Sequence, residues 1–128
     1  MKHLSLFILT HYDPSPLFET RRNNYRALLG NLKESKQCHA VFPTLDDASC
    51  PSHFSLYCAD REKGMRQLEE TGIKSTIYWP VPPQLKHLEM FPQAKWIYEH
   101  IVSVQIDQRY TQQDMQYLGS CLSKLEKS

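Results

Sequence analysis

The sequence predicts a small α/β (α+β) domain in which a three- to four-stranded mixed sheet, containing one βαβ unit, is covered by helices. Three observations lead to this prediction. Two short segments alternate between apolar and polar residues, a helix-patterned segment lies between them, and a leucine-rich segment with helical spacing follows near the end. The 128 residues have the length of one ordinary domain, so we expect a single hydrophobic core.

The first element is an apolar stretch, residues 4–9, which predicts one or two turns of helix or a short strand. Two prolines follow it and restrict the residues before them to extended or turn geometry. We therefore separate an N-terminal segment, residues 1–15, from a domain over residues 16–128. The domain begins with a helix predicted from about Pro16 to Glu34, because proline is favoured in the first turn and apolar and basic residues then lie on opposite sides.

The middle of the chain contains the predicted βαβ unit. A short edge strand at Val41-Phe42, followed by a proline-containing loop, precedes it. Residues 53–58 and 73–79 alternate as half-buried strands. Asp60 and Gly72 supply the N-cap and the C-terminal glycine of the helix between these strands. A strand, a helix and a strand in this order predict two side-by-side parallel strands joined by a right-handed crossover.

The last third of the chain predicts a loop, a helix, a strand and a helix. Residues 80–83 include three prolines and form an extended loop, because proline cannot donate to a sheet. Pro92 is a favoured first residue for a short helix, and residues 102–106 alternate as another strand. Residues 111–114 have the pattern of a capping box, which starts the final helix.

Charge and hydropathy exclude several classes of partner. The 15 basic and 14 acidic residues leave a net charge of +1, so we expect no binding to nucleic acid or anionic lipid. No apolar run approaches the roughly 20 residues of a membrane-spanning helix, so we expect no membrane partner. Residues 4–9 are not followed by a cleavage site and do not form a signal peptide, which predicts a cytoplasmic protein.

The cysteines and histidines predict no catalytic or metal site. The four cysteines are expected to be reduced and partly buried, because no secretory signal is present. A zinc site could gather Cys38, Cys50 and Cys58 with nearby histidines, but the absence of a Cys-x-x-Cys pair argues against it. No cysteine has a recognised catalytic context, no two histidines share helical i, i+4 spacing, and no glycine-rich phosphate loop is present. We therefore assign no catalytic residue.

Two clusters remain as candidate binding surfaces. Residues 21–26 combine three arginines with Tyr25, a pattern that favours a solvent or interface surface over a phosphate or RNA site. Tyr78 and Trp79 lie at the end of a predicted strand, where ligand pockets form in open α/β sheets. Packing of Trp79 in the core is an alternative of equal weight.

A series of short phrases in a fixed order resembles a known family. These phrases are Arg21-Arg22-Asn-Asn-Tyr25, Pro43, Phe54-Ser-Leu-Tyr57, Asp60-Arg61, Gly72-Ile73, Tyr78-Trp79-Pro80 and Ile106-Asp107. From about residue 5 to the C-terminus, the chain is similar to the C-terminal (small) domain of the DegT/DnrJ/EryC1/StrS family. Its members are fold-type I aminotransferases that use pyridoxal phosphate, many of them on nucleotide-linked keto-sugars.

The resemblance implies where the cofactor and the substrate lie. In that family, the Schiff-base lysine and most of the cofactor site belong to a large N-terminal domain. None of the nine lysines of this chain is therefore assigned to a Schiff base, and we expect no cofactor in this chain and pyridoxal phosphate only in the full-length enzyme. The small domain resembles a lid over the active site, which makes Tyr78, Trp79 and Gln84 the residues expected to face the substrate.

The chain departs from the family at these positions. A common family form is roughly Gly-Ile-x-x-x-His-Tyr-Pro-x-Pro with a second histidine soon after. This chain has Tyr78 for the first histidine, Trp79 for the tyrosine and Gln84 near the second. The chain thus loses a histidine, the side chain that titrates near neutral pH, which leaves amino-acid-like and other keto substrates open besides a sugar nucleotide.

The resemblance implies the small domain of an aminotransferase, which transfers an amino group to a keto-sugar or related keto substrate when joined to the large domain and is not catalytic alone. The alternative is a stand-alone, non-catalytic binding or dimerisation module of unknown ligand. Residues 1–15 then correspond to a remnant of the inter-domain region, whose apolar side lacks its cover. We expect a homo-oligomer or pairing with a separate large domain.

Overall fold

The structure is a computed structural model, and the description applies to residues 2–32 and 35–125. Five helices, one short 3-10 helix and four strands follow one another in this part of the chain. They are α1 Lys2–His11, α2 Ser15–Leu32, β1 Cys38–Ala40, β2 His53–Cys58, α3 Arg61–Glu70, β3 Ser75–Thr76, the 3-10 helix Leu88–Met90, α4 Pro92–His100, β4 Ile101–Gln105 and α5 Gln112–Ser123.

The strands form one sheet in the order β1-β2-β4-β3. The small α/β domain with a four-stranded sheet and covering helices is confirmed, but the expected side-by-side pairing of two parallel strands is wrong. Strands β2 and β3 do run in the same direction, because each is antiparallel to β4, which lies between them. All neighbouring strands in the described residues are therefore antiparallel. The helical crossover fixes the relative direction of β2 and β3, whereas the apolar pattern does not reveal that a later strand inserts between them.

The central position of β4 explains its burial. Val102 and Val104 are both about 1% exposed, and their strand is paired on both edges. Strand β3, in contrast, is limited to Ser75–Thr76 instead of the predicted 73–79. The chain leaves the sheet soon after β3 and enters the proline-rich loop, whose residues cannot continue a ladder of backbone hydrogen bonds.

Helices α2 and α5 cover one face of the sheet and close the core. Phe54 and Leu56 point from β2 into this core, where the Phe54 ring lies 4.6 Å from the Tyr25 ring of α2, centroid to centroid. The final helix contributes Met115, Leu118 and Leu122, as its leucine spacing predicts. We refer to this covered side as the inner face of the sheet.

The helix termini form as the sequence predicts. Asp60 accepts a hydrogen bond from the Lys63 amide at 3.0 Å, and Gly72 has a φ of 81°. Thr111 and Asp114 form a reciprocal capping box. The apolar N-terminal stretch is a helix rather than a strand, and the predicted edge strand lies just before Val41-Phe42, in β1. The predicted end of the first domain helix, at Glu34, lies outside the described residues.

Two of the cysteines form a disulfide, so the expectation of four reduced thiols is wrong. Cys38 of β1 lies directly opposite Cys58 of β2, with their Cα atoms 4.3 Å apart. This separation is typical of the closer type of antiparallel pair and lies just below the usual range for disulfides. Because strand register decides which residues face each other, sequence spacing could not reveal the pair. Cys50 and Cys121 are free.

Residues 2–32 and 35–125 contain no helix with the length and apolarity needed to cross a membrane. The same ranges contain no cluster of three or more histidine, cysteine or acidic side chains suited to a metal ion.

Candidate functional site

The outer face of the sheet, opposite the core, carries an open groove. Because Phe54 and Leu56 point inward, the alternation of β2 directs His53, Ser55 and Tyr57 to this outer face. Helix α4 covers one end of the face, where the Trp96 ring lies 4.8 Å from the Tyr57 ring. The remaining part is a cavity of about 440 Å³, which we call the outer-face groove; it is lined by Val41, Phe42, His53, Ser55, Thr76, Tyr78, Trp79, Ile101, Val102 and Ser103.

Small hydroxyl-bearing side chains form part of this groove. Ser55 of β2 and Ser103 of β4 are register partners, and their hydroxyl oxygens lie 3.1 Å apart. Thr76 of β3 is the register partner of Ser103 on the other side. Three adjacent strands therefore each place a short polar side chain in the groove, which leaves room for a ligand and offers hydroxyl donors and acceptors.

The residues of the predicted substrate-facing set take different places. Tyr78 and Trp79 both line the outer-face groove. Trp79 is 76% exposed, so the alternative in which it packs in the core is wrong. Gln84 is exposed in a turn of the following loop, where the Leu85 amide donates to the Pro82 carbonyl at 2.9 Å. The structure thus brings Tyr78 and Trp79 together in the groove and places Gln84 in the adjoining loop.

Tyr78 contacts a histidine that the sequence does not single out as a site residue. The Tyr78 ring lies edge-on to the His53 ring, with centroids 4.5 Å apart, and its hydroxyl is hydrogen-bonded to His53 Nε2. His53 Nδ1 lies 2.8 Å from the Ser52 hydroxyl. These two contacts make a continuous chain of hydrogen bonds, Ser52–His53–Tyr78. No spacing in the sequence could have revealed it, because the two rings are 25 positions apart and meet across the central strand.

The arginine-rich segment of α2 does not form an exposed surface at Arg22, whose side chain is buried and has a structural role. Arg22 is only 6% exposed, and its Nη1 donates to the carbonyls of Asp46 and Ser49, at 2.7 Å each. Its Nη2 also lies 3.4 Å from the Asp47 carboxylate. The sequence pattern predicts a solvent or interface surface around Arg22; instead, the long loop between β1 and β2 folds over this side chain and supplies acceptors.

Asn24 in the same segment binds the loop that precedes α5 through side-chain hydrogen bonds. This side chain is 1% exposed, and its amide nitrogen lies within 3.2 Å of three carbonyls, those of Ile106, Asp107 and Tyr110. Tyr25 donates its hydroxyl proton to the Phe42 carbonyl at 2.6 Å. The conspicuous polar segment therefore positions loops around the sheet, which explains why it contains asparagine and tyrosine beside the arginines.

A second cavity of about 600 Å³ lies at the open edge of β3. It is lined by three charged side chains, Lys74, Arg109 and Asp114. Arg109 and Asp114 already make hydrogen bonds to other residues of the chain. The Arg109 side chain makes two hydrogen bonds to the Asp107 carboxylate, at 2.9 and 2.7 Å, which are the main cause of lowering the Asp107 pKa to about 2. Asp114 accepts hydrogen bonds from Thr111.

This cavity does not fit pyridoxal phosphate by itself. The cofactor needs a lysine at its aldehyde carbon and a carboxylate at its pyridine nitrogen. Lys74 is exposed, and the carboxylate among the residues lining this cavity, that of Asp114, is committed to the capping box at the start of α5. We therefore derive no catalytic step from this cavity.

Comparison with known proteins identifies the fold. No protein-family model matches the chain, and no curated protein matches it significantly. Among solved structures, 94% of the chain matches a protein described as a sugar aminotransferase, Spr1654 from Streptococcus pneumoniae, with a TM-score of 0.73 and 15% sequence identity. The match is the same for the PMP form and the PLP form of that protein.

The chain spans 33% of the length of that protein. At this level of identity, the comparison establishes the fold and not the chemistry. The chain therefore has the fold of about one third of a protein described as a sugar aminotransferase.

Proposed function

We propose that this chain is the small domain of a pyridoxal-phosphate-dependent aminotransferase of the DegT/DnrJ/EryC1/StrS type. Joined to a large domain, it would take part in transfer of an amino group to a keto-sugar or related keto substrate. The observation that carries the proposal is the match of nearly the whole chain, 94%, to a limited part, 33%, of a protein described as a sugar aminotransferase. The ordered sequence phrases that resemble the family support the same assignment.

The amount of exposed surface supports a missing partner. The accessible surface is 9200 Å². A compact monomer of 15.0 kDa is expected to expose roughly 7000 Å². The excess of about 2000 Å² is of the size that one side of a large, permanent interface buries.

Helix α1 contributes strongly to this excess. Its apolar side chains are between 53% and 77% exposed: Leu4, Leu6, Phe7, Ile8 and Leu9. They do not form one stripe but surround the helix, a pattern that occurs where a helix is enclosed on several sides. We assign α1 to the contact with the large domain, which would enclose the helix on several sides.

In the assembled enzyme, the outer-face groove would face the substrate. Pyridoxal phosphate, bound by the large domain, supplies the electron sink for amino transfer. The residues of this chain bind and orient: Trp79 and Tyr78 offer aromatic surface to the apolar side of a sugar ring, and the serine and threonine hydroxyls of the groove offer hydrogen bonds. Trp79 would also exclude water from that side of the substrate.

The alternative function is a stand-alone binding or dimerisation module, favoured by the same exposed helix α1 if a second copy covers it. The coding sequence next to this chain distinguishes the two. The aminotransferase proposal expects a neighbouring segment, about twice the length of this chain, that carries the cofactor lysine.

The direct test is reconstitution. The neighbouring segment and this chain are expressed together, incubated with pyridoxal phosphate and reduced with borohydride, and the modified lysine is located by mass spectrometry. We expect stoichiometric modification of one lysine in the large segment and none in this chain alone. A specifically trapped lysine in this chain would contradict the proposal, as would a stable dimer of this chain that does not bind the large segment.

A further inference from the structure

The hydrogen-bonded chain Ser52–His53–Tyr78 fixes a phenol at the mouth of an open groove. Ser52 and His53 lie at the start of β2, and Tyr78 follows β3, so the His53 and Tyr78 side chains meet across the central strand β4. Tyr78 lies two residues beyond the end of β3, and its side chain reaches back to His53. The short side chains of Ser55, Thr76 and Ser103 line the same groove and leave it open.

The chemistry of the three groups sets the direction of the hydrogen bonds. A neutral imidazole has one nitrogen that donates and one that accepts. A phenol is a much stronger acid than an alcohol, so its proton is the better one to place on the accepting nitrogen. Tyr78 then donates to His53 Nε2, and His53 Nδ1–H donates to the Ser52 hydroxyl oxygen. The phenol oxygen is left with its lone pairs for a group in the groove.

We propose that His53, oriented by Ser52, is a positioning residue that holds the Tyr78 phenol as a hydrogen-bond acceptor for a hydroxyl or amino group of the bound substrate. This inference rests on the proposed function in placing the substrate in the outer-face groove. It adds a specificity element: the site favours a ligand that presents an O–H or N–H group to Tyr78 while its apolar side contacts Trp79. A six-membered sugar ring has both features.

The position of the pair favours a binding role over a stabilising one. Tyr78 is 43% exposed and makes its hydrogen bond to His53 at the surface, where such a bond adds little to stability because water competes for both groups. Trp79, beside it, is more exposed still. The arrangement instead removes rotational freedom from the phenol before a ligand arrives, which reduces the entropy cost of binding.

The first experiment measures the tautomer of His53 directly. The full chain is labelled with 15N-histidine, and the ring nitrogens are observed at about pH 9, where imidazole side chains are neutral. We expect His53 to carry its proton on Nδ1. Tyr78→Phe and Ser52→Ala should each change the His53 signals. His39 is the matched control, because it also lies beside a tyrosine ring, 5.5 Å from Tyr57, and its signals should not change. The proposal would be overturned if His53 carried its proton on Nε2, or if the His53 ring-nitrogen signals did not change in Tyr78→Phe.

The second experiment measures binding with methyl α-D-glucopyranoside as the probe, titrated into the full chain and followed by amide chemical shifts. We expect saturable shifts around the groove, with a Kd in the millimolar range. His53→Ala and Tyr78→Phe should each raise this Kd about 3- to 10-fold, the range for one lost hydrogen bond. His53→Gln should restore most of the affinity, because its amide oxygen can accept the phenol proton. His39→Ala is the control and should bind as the wild type does.

These outcomes separate the inference from the proposed function. No saturable shift at about 100 mM probe, or an unchanged Kd in His53→Ala, would overturn the role of His53 even where reconstitution with the large segment succeeds. If reconstitution fails but the tautomer and the binding series behave as expected, the groove remains a sugar-binding site and the aminotransferase proposal falls. All variants are first checked for a wild-type amide spectrum away from the groove.

Discussion

The two faces of the sheet differ in how they are completed. The inner face is covered by this chain's own helices, α2 and α5, and carries the buried residues Phe54, Leu56 and Val102. The outer face is covered at one end by α4 and is otherwise open, with Trp79 and neighbouring aromatic side chains exposed. The inner face therefore accounts for the stability of the domain, and the outer face is available for a ligand or a partner. Four predictions test this division, from the largest expected effect to the smallest.

The largest effect is expected from a cavity in the inner face. Phe54 is fully buried, so Phe54→Ala should lower the free energy of unfolding by about 3–5 kcal/mol, through lost apolar contact and the cavity that remains. Trp79→Ala is the matched substitution on the outer face and should change the free energy of unfolding by less than about 0.5 kcal/mol. Urea unfolding followed by circular dichroism measures both. Equal losses in the two variants would show that the outer face contributes to the core.

The next effect concerns the disulfide that joins the inward-facing Cys38 and Cys58. It closes a loop with a sequence separation of 20, so its removal should cost about 3 kcal/mol. The double variant Cys38→Ala/Cys58→Ala should therefore unfold at lower urea concentration and lose its sensitivity to dithiothreitol. Cys50→Ala should keep the wild-type response to dithiothreitol. A wild-type chain that dithiothreitol leaves unaffected would contradict the contribution of the disulfide to stability.

A smaller loss of stability is expected from removing the hydrogen bonds between Asn24 of α2 and the loop before α5. Asn24→Ala removes the donor for three carbonyls in a buried environment and should destabilise the chain by about 1–3 kcal/mol. Asn23, its exposed neighbour, provides the control, and Asn23→Ala should change the free energy of unfolding by less than about 0.5 kcal/mol. Comparable losses in both variants would indicate a general effect on helix α2 rather than the loss of these hydrogen bonds.

The smallest effect is a dependence of stability on pH. The Asp107 pKa is lowered from 3.8 to about 2, first by hydrogen bonds from Arg109. A carboxylate with a lowered pKa in the folded state stabilises the fold above its unfolded pKa, and this contribution is lost as the pH falls from about 4 to about 2. The loss should not exceed about 2 kcal/mol, because the Arg109 side chain is exposed to solvent.

Asp107→Asn should reduce the stability at neutral pH and flatten its fall over that acidic range. Urea unfolding at a series of pH values measures the difference between the variant and the wild type. An identical pH profile for the two proteins would contradict the assignment of this contribution to Asp107.

Local features of the fold were predictable because they depend on residues close together in sequence. The N-cap at Asp60, the left-handed Gly72 and the capping box at Thr111 are each determined within one turn of the chain. Strand β2 was predicted with its full extent, because its alternation satisfies one buried and one exposed face. Strand β3 is shorter than predicted, because the chain leaves the sheet after Thr76 although the apolar alternation continues to Trp79.

The candidate site was predictable only in part. Tyr78 and Trp79 could be placed at the end of a strand from sequence, and both line the groove. His53 and Ser52 could not be assigned, because their role depends on a strand from the far end of the domain inserting between β2 and β3. The burial of Arg22 was missed for a similar reason, since a loop that begins after β1 provides its acceptors.

Residues close together in the chain are enough to predict helices α2 to α5, the caps at Asp60 and Thr111, and the inward-facing residues of β2. They also carry the phrases that resemble a known family. The strand order, the Cys38–Cys58 pair and the contact between His53 and Tyr78 form only when distant segments come together in the fold. This division follows from the range of the interactions. Hydrogen bonds within a helical turn and the alternation of a strand depend on neighbouring residues. Strand register and the insertion of β4 between β2 and β3 depend on which distant segments bury the most apolar surface together.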